Sequence, residues 1–126
     1  MPTNIRIIRA HEFIKATPEG QLDLKKAKEL LIEIAVTSGP SFDYEVLIDT
    51  RKVQAALSIT DLWYLAAELS TFRKAFSRKT AVLCPSEGFD YAGFFALCAQ
   101  NIGFRIRAFT SFEDAIEWLV KEGPDA

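Results

Sequence analysis

Few residues in this chain pair a reactive type with a position that could use it. Asp49 closes the apolar run Val46-Leu47-Ile48, and the carboxyl ends of strands are where open α/β sheets meet their ligands. Ser58 opens Ser58-Ile59-Thr60-Asp61, and Glu87 follows an apolar run ending at Cys84-Pro85. An enzyme built here would use Asp49, Ser58 or Glu87 at the strand ends. No partner motif accompanies them. The single histidine is His11, and a lone histidine on a strand reads first as a hydrogen-bonded surface residue. Phosphate-cradling G-x-x-x-x-G-K-[ST] and G-x-G-x-x-G loops are missing, as is a G-x-S-x-G elbow. Cys84 and Cys98 lack C-x-x-C spacing, and no His/Cys cluster offers metal ligands. Both read as small buried apolar residues of a reduced, cytoplasmic protein. Asp49 is explained as a turn residue bonding the N–H groups of the next loop. The residues therefore point to no catalytic site, no metal and no cofactor.

The rest of the chain has to position whatever site there is. Its 126 residues, 49% hydrophobic and 25% charged, suit one globular domain over 1–126 with a full core. Fifteen Lys and Arg against seventeen Asp and Glu leave a formal charge of −2, so net charge gives no grip on nucleic acid. Met1-Pro2-Thr3-Asn4-Ile5-Arg6 has no apolar h-region, so no signal peptide is expected. No apolar stretch approaches the ~20 residues of a membrane span.

Ile5–Arg9 and His11–Thr17 read as two strands, the second stopped by Pro18 and Gly20. Asp23 starts a helix with Leu24, Ala27, Leu30, Leu31 and Ile34 on one face, stopped at Ser38-Gly39-Pro40-Ser41. Val46-Leu47-Ile48 is continuously apolar, as a strand covered on both faces must be. A connecting stretch runs through Ala56. Ser58 and Asp61 form a capping box for a helix striped by Leu62, Leu65, Leu69, Phe72 and Phe76. Arg73, Lys74, Arg78 and Lys79 gather at its end, where cations suit the helix dipole. Thr80–Cys84 is a second fully apolar strand. A helix from about Gly88 to Asn101, capped by Gly103, leads to the alternating strand Phe104–Phe109 near a sheet edge. Ser111 and Asp114 open the last helix. The order β-β-α-β-α-β-α-β-α predicts an α/β fold with one mixed, mostly parallel sheet and flanking helices.

Three stretches carry a family resemblance: Gly20-Gln21-Leu22-Asp23, Val46 to Val53 and Arg107 to Ala115. With the order of elements, they make the chain resemble the STAS domain, the anti-sigma-factor-antagonist fold, in its SpoIIAA-like branch, over about Ile5 to Val120. The resemblance implies an antiparallel first strand, no catalysis and regulation through a protein partner. Regulatory members carry Asp-Ser-Ser-Gly before the second helix, with a phosphorylated serine. Here Leu57-Ser58-Ile59-Thr60 stands in that place. Ser58 falls near the phosphoacceptor position without its flanking Asp and Gly, so the usual phospho-switch is not expected, and the capping box alone explains the serine. Val46–Asp49 also looks like the phosphoacceptor strand of receiver domains. Those need an acidic pair and a lysine where this chain has Ala10-His11-Glu12 and Phe109-Thr110-Ser111, so that reading fails.

One signal outlasts the fold. Phe89–Asn101 has only Asp90, Gln100 and Asn101 as distinctly polar residues, and a helix apolar all round must be covered all round. Trp63 and Tyr64 lie off the leucine stripe of the preceding helix. Trp63, Tyr64, Tyr91, Phe94 and Phe95 are therefore candidates for a homodimer interface or an apolar-ligand site. The expected function is a non-enzymatic regulatory or protein-interaction module, a homodimer with a possible regulatory protein partner. The alternative is a small apolar-ligand or lipid-binding domain of STAS/Sec14-like type, in which Arg73, Lys74, Arg78 and Lys79 would meet a headgroup.

Overall fold

A computed structural model describes residues 3–8, 13–39 and 44–121. Strand β1 (Thr3–Ile8) is followed by β2 (Phe13–Pro18), β3 (Gly20–Leu22) and helix α1 (Leu24–Ser38). Then come β4 (Glu45–Asp49), β5 (Val53–Ala55), α2 (Ile59–Glu68) and β6 (Thr80–Leu83). Helix α3 (Phe89–Asn101), β7 (Ile106–Phe109) and α4 (Phe112–Val120) complete the chain. The readings placed on His11, Glu12, Pro40, Ser41 and Gly123-Pro124 lie outside the described residues.

The main sheet has the order β1-β2-β4-β6-β7. Only the β1–β2 pair is antiparallel; β2–β4, β4–β6 and β6–β7 are parallel. The sheet is thus mixed and mostly parallel, with β4 and β6 at its centre. Val46, Ile48 and Val82 point into a large core against α1, α2 and α3. Leu47, Ala81 and Leu83 point into a smaller core against Ala115, Trp118 and Leu119 of α4. Three helices on one face and one on the other explain why both central strands are apolar at almost every position.

Two features depart from the sequence reading. Residues taken as connections, Gly20–Leu22 and Val53–Ala55, form a second, two-stranded parallel sheet. Gly20, at φ 81°, turns the chain out of β2 into it. Helix α2 is also shorter than its apolar stripe: it ends at Glu68 and passes into a 3₁₀ turn over Leu69–Phe72. The basic residues beyond it therefore form no helix-end cluster. Lys79 is buried, its ammonium donating to the carbonyls of Trp118 and Lys121 and so closing the C-terminal end of α4. Arg78 pairs with Glu45 at 2.6 Å. Arg73 lies 4.4 Å from the Phe104 ring centroid and donates to the Ile102 carbonyl. Lys74 stays exposed. The headgroup site imagined for these four cations does not assemble.

Candidate functional site

A concavity lies at the carboxyl ends of β4 and β6, on the face covered by α1, α2 and α3. It is a cavity of about 340 Å³, within the range of small-molecule sites. Five walls build it. Ile48 and Val82 form the floor from the central strands, and Ala27, Leu30 and Leu31 face it from α1. Leu62 and Leu65 come from α2, and Tyr91, Ala92 and Phe95 from α3. Leu22, Val53 and Ala55 of the small β3–β5 sheet close the last side. Exposed Ala55, Glu87 and Tyr91 form a rim open to solvent.

Polar groups on this lining are scarce and mostly occupied. Thr50 donates its hydroxyl to the Leu83 carbonyl at 2.9 Å. The Cys84 thiol is buried and points its weak donor at the Phe109 carbonyl, 3.5 Å away. Burial pushes that thiol above its ordinary pKa, and the Glu87 charge pushes it further, so it is a poor nucleophile at neutral pH. Glu87 is the one charged side chain of the lining.

Asp49 belongs to the opposite face of the sheet. It is 5% exposed and takes both Nε and Nη2 of Arg51, at 3.0 and 2.8 Å, while the Arg51 N–H donates at 3.1 Å. Burial raises the Asp49 carboxyl, but the Arg51 hydrogen bonds and the charges of Arg51 and Lys15 outweigh it, and the pKa ends below the ordinary value. Lys15 and Arg51 both lie over Phe112, 5.5 and 5.9 Å from its centroid. The carboxylate is committed to holding this turn.

Ser58 is the N-cap of α2. Its hydroxyl accepts from the Asp61 N–H at 3.1 Å, and the Asp61 carboxylate accepts from the Ser58 N–H at 3.0 Å. Both Asp49 and Ser58 thus have complete local roles, and neither meets Glu87 in a shared constellation. The aromatic candidates separate. Phe95 is 7% exposed and lines the cavity, and Tyr91 is half exposed at its rim. Phe94 is half-buried against the main core. Trp63 and Tyr64 stand outside the cavity at 59% and 48% exposure, with Lys28 lying 4.7 Å from the Tyr64 centroid. The leucines facing the void were legible as a stripe, but nothing in their spacing marks a void.

Among the described residues, no group of three or more metal-ligating side chains converges, and no helix is long and apolar enough to cross a membrane. The sequence matches no protein-family model and no curated protein. Solved structures do match. An uncharacterised protein of the DUF3478 family with a SpoIIAA-like fold, from Shewanella loihica PV-4, aligns at a TM-score of 0.63 with 16% identity, over 94% of this chain and 92% of that one. The anti-sigma factor antagonist SpoIIAA in its unphosphorylated form aligns at 0.56 with 13% identity, over 93% and 96%. The chain therefore has the STAS/SpoIIAA-like fold; at these identities the likeness speaks for the fold alone.

Proposed function

We propose that residues 1–126 form a single non-enzymatic SpoIIAA-like module of regulatory kind that acts by binding, and that its ligand is a small apolar molecule. The cavity carries this reading. A dry-walled void of about 340 Å³ between five elements forgoes packing that a core of this size normally keeps. A bound apolar molecule would restore those contacts.

A second reading, a protein partner or a second copy of the chain, is favoured by the exposed aromatics of α2. Trp63 and Tyr64 follow closely on the Ser58 cap, in the region where the SpoIIAA resemblance implies regulation. Ser58 serves here as a cap, without a phospho-switch.

Native mass spectrometry of the full chain, purified without detergent, distinguishes the readings. The ligand reading predicts a monomer or dimer carrying an added mass that denaturation releases. The partner reading predicts a ligand-free dimer that Trp63→Asp or Tyr91→Asp dissociates. A ligand-free monomer at high micromolar concentration, which also fails to bind added apolar compounds, would overturn both.

A further inference from the structure

The cavity has a charge at its mouth, and that charge constrains what its ligand carries at the polar end. At roughly 30 Å³ per methylene-sized group, taking the liquid-water share as the measure, the void holds about ten to twelve such groups. An unbranched ten-carbon chain is therefore of the right size, with its polar end at the exposed rim. Glu87 stands there. It is exposed, it has no ion-pair partner among the described residues, and its field reaches the Cys84 thiol on the cavity wall.

Three helix N-termini, those of α1, α2 and α3, also border the cavity, and by themselves they would favour an anion. Each already has an acid at its start: Asp23 as the N-cap of α1, Asp61 in α2 and Asp90 in α3. Asp61 also satisfies the Ser58 N–H. With Glu87, four full negative charges outweigh three dipole ends worth about half a unit each. Of the nearby cations, Arg51 is bound to Asp49 on the opposite sheet face and Lys28 lies over Tyr64, while Lys52, next to the lining residue Val53, is exposed.

We infer that the cavity takes single-chain amphiphiles with a neutral or cationic polar end and discriminates against carboxylates, with Glu87 as the selecting residue. This rests on reading the cavity as a ligand site.

The test is calorimetric titration of the full chain, below micelle-forming concentrations, with 1-decanol, decylammonium and decanoate at low and high salt. The expected order is decylammonium, then decanol, then decanoate, with about a tenfold spread between the two ions, held to that size because an exposed charge is screened. High salt should shrink the spread. Glu87→Gln should bring the ions within about twofold of each other, and Glu87→Lys should reverse their order. Equal binding of all three by the wild type, or tightest binding of decanoate, overturns the selectivity while leaving the apolar site standing. If decanol itself does not bind, the ligand reading falls, and the selectivity with it.

Discussion

Leu65 and Leu69 lie one turn apart on the same apolar stripe, yet the cavity makes them energetically unequal. Leu69 is fully buried in the main core and does not line the cavity, whereas Leu65 does. Truncating a closely packed leucine to alanine costs about 2.7–5 kcal/mol, growing with the dry volume left behind. Leu69→Ala belongs near the top of that range, about 4–5 kcal/mol, because packed atoms surround it. The Leu65 side chain has lost dispersion partners on its cavity side, and the space freed joins a void already open to solvent at the rim. Leu65→Ala should cost only about 2–3 kcal/mol. At about 4 °C per kcal/mol for a chain of this size, the two variants should melt roughly 8 °C apart. Urea titration with a common m-value, alongside calorimetric melting, reads the difference directly. Equal destabilisation would mean that Leu65 is packed as tightly as Leu69, and the cavity argument would fail.

Three further outcomes follow from local geometry. Ser58→Ala should lower stability by about 1 kcal/mol while Ser58→Asp holds it, because aspartate also caps; thermal melts that leave both variants unchanged would contradict the capping role. Asp49, held below its ordinary pKa, contributes stability at pH values above the ordinary carboxylate range and loses it as pH falls through its folded value. Arg51→Met removes the lowering partner and leaves burial, so the variant should be less stable at neutral pH but should lose less melting temperature on acidification than the wild type, because the Asp49-linked acid loss shrinks or reverses; parallel acid limbs would refute the pairing. Lys79→Ala leaves the carbonyls of Trp118 and Lys121 without their donor and should cost about 1.5–3 kcal/mol. Its hydrogen-exchange protection should fall first in α4, and uniform loss across the sheet would place the effect elsewhere.

The sequence made most of the scaffold legible, because each element carried its own physical signature. Val46–Ile48 and Thr80–Leu83 read as central strands because a strand covered on both faces has no polar positions. Ser58-x-x-Asp61 and Ser111-x-x-Asp114 marked helix starts because the capping geometry is local. The small β3–β5 sheet was hidden. Three-residue strands have no period to detect, and their pairing depends on Gly20 turning the chain toward residues about thirty positions away. The stop of α2 at Glu68 was hidden too, since the leucine stripe continues unbroken through the 3₁₀ turn. Lys79 read as one of four cations at a helix end, and only α4 folding over it makes it buried. The cavity was the least legible feature. Leu30, Leu62, Leu65 and Phe95 have the same spacing whether they meet one another or stop short, and only the relative placement of five elements decides which.

Methyl-resolved NMR of the full chain titrated with 1-decanol tests the central claim most directly, because it reports both binding and place. The account predicts saturable shifts concentrated on the methyls of Leu30, Leu62, Leu65 and Val82, with Leu69 and Leu119 little changed. Shifts confined to the surface around Trp63 and Tyr64, or no saturable shift at all, would contradict it.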